Sequence, residues 1–255
     1  MAISGTALIG TLIAGFATGL GALPVYLQRE FSRATLDIGM GFSAGVMLVA
    51  SFVALILPGF EEARLIFSGW AAPLTVLAGL VAGYLGIIGF HELWPHEHVR
   101  KESDMQHDRR LSRVALIVMA IALHNVPEGL AVGVGFGGGN DDSGLLLALA
   151  IAVQNMPEGL VVAIGLVSEG SSRNRAFWMA LLSGLVEPVA AVIGFTATAV
   201  TQAVLPIALG FAGGAMLFVI CQEMLPELFQ QGHEKEATLG VILGVSVMLA
   251  MHAYL

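Results

Sequence analysis

Apolar residues come in runs of about twenty along this chain, and polar residues gather in short connections between the runs. The runs predict eight helices long enough to cross a bilayer, at about 4–27, 36–59, 71–93, 113–135, 144–168, 175–199, 203–228 and 238–255. A transmembrane barrel would instead show alternating segments of about ten residues. The expected fold is therefore an all-α membrane protein, with one transmembrane domain over 1–255. The first run, ALIGTLIAGFATGLGALPVYL, has no basic segment before it and is too long for a signal-peptide core, so it counts as a span. The longest polar connection, WPHEHVRKESDMQHDRRLSR, predicts a loop over 94–112.

Composition supports the same class: 56% of the 255 residues are hydrophobic and 12% charged, against about 25% charged in soluble domains. A net charge of −8 is no nucleic-acid footprint, and a single cysteine, Cys221, excludes an internal disulfide. Basic residues orient the bundle. Arg29, Arg33, Arg100, Lys101, Arg109, Arg110, Arg113, Arg173, Arg175 and Lys235 fall in or beside one set of connections, and Arg64 alone in the other. The bias predicts a cytoplasmic 94–112 loop and extracytoplasmic termini.

Two segments repeat. IALHNVPEGLAVGVG begins at Ile121, and IAVQNMPEGLVVAIG begins thirty residues later at Ile151, in spans that cross in opposite directions. GFSAGVMLVA at Gly41 is echoed by GFAGGAMLFV at Gly210, each leading to a Leu-Pro, Leu57-Pro58 and Leu225-Pro226. Those two spans are also opposed, so the repeats predict inverted topology, a plan common in secondary transporters with sites near the bilayer midplane.

Helical spacing puts His124 with Glu128, and Gln154 with Glu158, on common faces near mid-span. A carboxylate at that depth costs a few kcal/mol, and two facing ones repel unless a cation lies between them. Pro127 and Pro157 leave the carbonyls of Leu123 and Val153 without helical partners, while Gly129 and Gly159 admit a neighbouring helix. Glu187, followed by Pro188, supplies a third mid-span acid. Imidazole, carboxylate and amide oxygen together suit zinc, iron, manganese or cobalt better than calcium or magnesium.

HNVPEG and QNMPEG in the fourth and fifth of eight spans, with an acid-Pro in the sixth, resemble the ZIP (Zrt/Irt-like protein) metal transporters over essentially the whole chain. The resemblance implies uptake of divalent transition metals into the cytoplasm, zinc foremost, with iron, manganese, cobalt and cadmium also accepted. It implies a metal position at His124, Glu128, Gln154 and Glu158, with Met47 adding a thioether. A second position would use Asn125, Asn155, Glu158 and Glu187, with Glu158 bridging. Many relatives have histidine where Gln154 stands and some an acid where Asn155 stands, so weaker occupancy and broader selectivity are expected. The resemblance also implies an inward exit past Glu223 and Glu227, which otherwise read as an interfacial helix end, together with alternating access and often a homodimer. The small size, without a long extracellular domain, favours a prokaryotic inner (plasma) membrane. His91 and Glu92, with His96, His98 and His107, make a loop that either collects metal after passage or is simply solvated.

Two other classes compete with the transporter. An intramembrane metalloenzyme would need an open coordination position and a lateral route for substrate. A sensor binding metal without flux would be expected to carry a soluble output domain. The duplicated, opposed motifs favour a through-path, and no catalytic residue is assigned.

Overall fold

The computed structural model describes residues 4–27, 31–93, 113–139, 141–200, 202–230 and 232–254. They form eight long helices: α1 (Gly5–Tyr26), α2 (Arg33–Ile66), α3 (Ala71–Leu93), α4 (Arg113–Gly137), α5 (Asp141–Ser168), α6 (Arg173–Thr198), α7 (Leu205–Leu228) and α8 (Glu234–Tyr254). Serine hydroxyls start three of them, Ser4, Ser32 and Ser172 each accepting a hydrogen bond from the backbone N–H three residues on. Glycines with positive φ, among them Gly69 (+56°) and Gly170 (+87°), turn the chain between helices. The chain is a multi-pass membrane protein. Its lipid-facing surfaces are apolar: Leu74, Leu77, Val81 and Leu85 line one exposed face of α3, and Leu239, Ile242 and Leu243 one of α8.

Two boundaries differ from the hydropathy reading. Helix α2 does not stop near residue 59. Pro58 cannot donate to Ala54, but a π-helical turn over Ser51–Ile56 takes up the misfit, Pro58 sits in the first turn of Leu57–Ile66, and the helix continues. Helix α5 starts before the predicted 144, with Asp141 and Asp142 in its first turn, where carboxylates face the positive end of the helix dipole.

The helices pack in pairs, α1 on α5, α4 on α6, α2 on α8 and α3 on α7. Exchanging α1 with α6, α2 with α7, α3 with α8 and α4 with α5 returns the same set of pairs, which is the inverted repeat expressed as packing. Glycines carry the closest contacts. A Cβ on Gly41 or Gly45 would lie 2.3 or 2.2 Å from a carbonyl of α8, and one on Gly210 or Gly214 would lie 2.3 or 2.1 Å from a carbonyl of α3. The echo between residues 41 and 210 is thus a shared helix-docking surface. It includes a second π-helical turn, Ile220–Met224, before Leu225-Pro226 in α7.

Two blocks result, α1/α4/α5/α6 and α2/α3/α7/α8, which meet where α2 packs on α5 and α4 on α7.

Candidate metal centre

Pro157, which cannot donate to the Val153 carbonyl, lies inside α5 where α2 packs on it. Gly39 of α2 leaves room for the proline ring, a Cβ there lying 3.3 Å from it, and the Ser43 hydroxyl donates to the Gln154 carbonyl at 2.7 Å. Pro188 cannot donate to Gly184, so α6 breaks at Leu185 and Glu187 falls in the first turn of its second half. Gly129 lets α4 approach this break, its added Cβ lying 2.4 Å from the Glu187 carbonyl. These three irregularities converge on one polar cluster.

The cluster is a hydrogen-bonded relay from α4 through α5 to α6. The Gln154 side-chain amide donates to Glu128 Oε1 and to Asn155 Oδ1, both at 2.6 Å. Asn155 in turn donates to Glu187 Oε1 at 2.7 Å and to the Ala14 carbonyl at 3.1 Å. Both amide nitrogens have used both of their hydrogens. What remains is mostly acceptors: Glu128 Oε2, Gln154 Oε1, Glu158 Oε1 and Glu187 Oε2 are buried without a hydrogen-bond partner, and the Asn125 amide, one acceptor and one donor nitrogen, is also unpartnered. Among the described residues no Lys or Arg pairs with these three carboxylates. A buried, donor-poor cluster of carboxylate oxygens is unfavourable until a cation enters it.

A cavity of about 430 Å³ reaches this cluster from the end of the bundle that carries Arg33, Glu169 and Glu227. Its inner wall includes Met47, His124, Glu128 and Glu158. Gln154, Asn155 and Glu187 lie behind that wall, within 8% exposure or less like Asn125, and His124 is the most open of the set at 20%. Among the described residues no three His, Cys, Asp or Glu side chains close on one point unaided, so amide oxygens or a thioether would have to complete any metal shell.

The flanking residues divide. Glu227 lines the cavity mouth. Glu223 is buried and bonded to His124 Nε2 across the α4–α7 contact, between the cluster and Glu227. The π-helical turn adds a residue to that part of α7 and rotates Glu223 inward, which the spacing alone could not reveal. His91 and Glu92 end α3, but their side chains, like the whole of 94–112, lie outside the described residues. Sequence reasoning missed Asp37 and Ser43. The only signal for Asp37 was an acid four residues after Arg33, which reads as a surface pair, yet it is 1% exposed.

Comparison with known proteins points the same way. Residues 91–252 match the family described as "ZIP Zinc transporter". The chain is 44% identical over 248 residues to "Zinc transporter GufA" of Myxococcus xanthus, covering 97% of this chain and 98% of that protein. It is 42% identical over 246 residues to "Zinc transporter ZIPB" of Bordetella bronchiseptica, covering 96% and 80%. Against "Zinc transporter ZupT" of Chlorobium luteolum it is 35% identical over 253 residues, covering 95% of each.

Proposed function

The chain belongs to the ZIP zinc transporter family, and from that premise we propose that the cluster in α4, α5 and α6 is where a divalent metal ion rests while crossing the membrane. Zinc is the first expectation, with iron, manganese, cobalt and cadmium as further cargo. The observation that carries the reading is the surplus of buried acceptors left once every amide hydrogen of Gln154 and Asn155 is committed.

His124, Glu128, Gln154 and Glu158, with Met47 close by, form the first metal position. Asn125, Asn155, Glu158 and Glu187 form a second, with Glu158 shared. Cargo would turn Gln154 over, exchanging its hydrogen bond to Glu128 for its carbonyl oxygen on the ion. It would also compete with Glu223 for the His124 nitrogen. Neutral amides bind more weakly than carboxylates, which keeps the ion exchangeable, as a transport site requires.

The cavity opens toward the cytoplasm in this reading, because its mouth lies on the side rich in Arg and Lys. Ions then arrive from outside in the alternate conformation, as the two helix blocks slide along the α2–α5 and α4–α7 contacts. Glu223 and Glu227 receive the departing ion. An inner (plasma) membrane location and a homodimer complete the proposal.

Radiolabelled zinc uptake into proteoliposomes holding the purified chain tests it. Saturable uptake is expected, with His124→Ala and Glu128→Ala lowering it at least about tenfold while both variants still purify as folded protein. Folded protein that binds zinc but moves none of the five metals would overturn the reading.

A further inference from the structure

Asp37 is the one described acid whose burial the central cluster does not explain. It lies in the second turn of α2, 1% exposed, with Oδ1 held by Arg33 Nε at 3.0 Å. Its other oxygen, Oδ2, is buried and has no partner. Asp37 lines a void of about 10 Å³ whose wall also includes Met40 and Glu227. That is about the space one water or one bare ion occupies. Met40, Glu227 and Arg33 line the large cavity as well, so the void adjoins it at the end that carries Arg33 and Glu227.

We propose that Asp37 Oδ2, Glu227 and the Met40 sulfur form a separate cation site at the cavity mouth, with Arg33 as a resident counter-charge that the ion displaces. Two carboxylates and a thioether suit a divalent transition metal rather than calcium or magnesium. Arg33 is an adequate place-holder and a poor lock. Its side chain is 43% exposed, so water can solvate the guanidinium when it leaves Asp37. When the guanidinium swings into the cavity, Asp37 presents two oxygens to the void. When it returns, it expels the ion and leaves a positive charge at the mouth that opposes re-entry. The site deepens the proposed transport reading by adding a step between the central cluster and bulk water.

A structural ion pair and a metal site make opposite predictions for the two partners. The test is equilibrium binding of cadmium to the purified full-length chain carrying His124→Ala and Glu158→Gln, which removes a ligand of the first central position and the carboxylate that both positions share. Asp37→Asn is expected to remove one bound ion per chain. Arg33→Gln is expected to tighten that same ion about two- to fivefold, because it deletes the competitor. Glu227→Gln, at an exposed position that cannot upset folding, is expected to weaken it. If Asp37→Asn and Arg33→Gln shift binding in the same direction, or neither shifts it, the pair is structural and the proposal fails. Failure of the transport reading would appear elsewhere, as zinc uptake that His124→Ala and Glu128→Ala leave intact.

Discussion

Asn155 is the hinge of the central relay, because it donates to Glu187 and to a carbonyl of α1 while accepting from Gln154. Asn155→Asp converts those two donations into repulsion and adds a fourth carboxylate oxygen pair with nothing to balance it. Each lost buried hydrogen bond costs about 1–3 kcal/mol. The metal-free variant is therefore expected to melt below the parent, and added zinc to raise its Tm more than it raises the parent's, since a ligand stabilises in proportion to its preference for the folded state. Thermal unfolding with and without zinc reads both effects. Equal zinc-induced shifts in the two proteins would remove Asn155 from the metal's surroundings. At this scale the sequence was informative wherever a motif recurred. HNVPEG and QNMPEG named residues that the fold does bring together. Asp37, Ser43 and the depth of Glu223 were not legible, since each depends on which neighbour crosses α2 or α7 at that turn, and no local pattern encodes that.

Helix docking depends on glycines whose missing Cβ lets backbones touch. Gly45 and Gly214 occupy equivalent places in the two halves, with added Cβ atoms 2.2 and 2.1 Å from carbonyls of α8 and α3. Gly45→Val and Gly214→Val are each expected to push a helix off its partner, at a cost of about 1–3 kcal/mol or more, and to lower Tm by similar amounts in detergent. Gly165 has open space where a Cβ would go, so Gly165→Ala is expected to leave Tm unchanged or raise it by up to about 1 kcal/mol worth of helix propensity. If Gly165→Ala destabilised as much as Gly45→Val, close approach would not be the cause. The eight helices themselves were legible, because a bilayer demands length and apolarity at once. The end of α2 was misjudged for the opposite reason. Pro58 looks like a terminator in sequence, and only the preceding π-helical turn shows how the helix absorbs it. The matching turn before Pro226 makes this a property of the repeat rather than a local accident.

For the molecule as a whole, the decisive asymmetry is that the described cavity reaches the central cluster from one end. Glu227 and Val161 line it, whereas Arg64 is exposed at the opposite end of α2. The proposed orientation, with the cavity open inward and both termini extracytoplasmic, makes a directional prediction. In a Cys221→Ser background, Arg64→Cys is expected to react with a membrane-impermeant maleimide added to intact cells, while Glu227→Cys and Val161→Cys react only once the membrane is opened. Removing the native thiol matters because Cys221 is exposed. The same variants follow the alternate state. If the two blocks slide along the α2–α5 and α4–α7 contacts, Val161→Cys should lose reactivity whenever the cavity closes, and zinc that shifts this equilibrium should change its labelling rate without changing that of Arg64→Cys. Labelling of Glu227→Cys from outside intact cells would invert the orientation, and with it the direction in which the acidic mouth serves the ion: Asp37 and Glu227 would then gather cargo rather than release it.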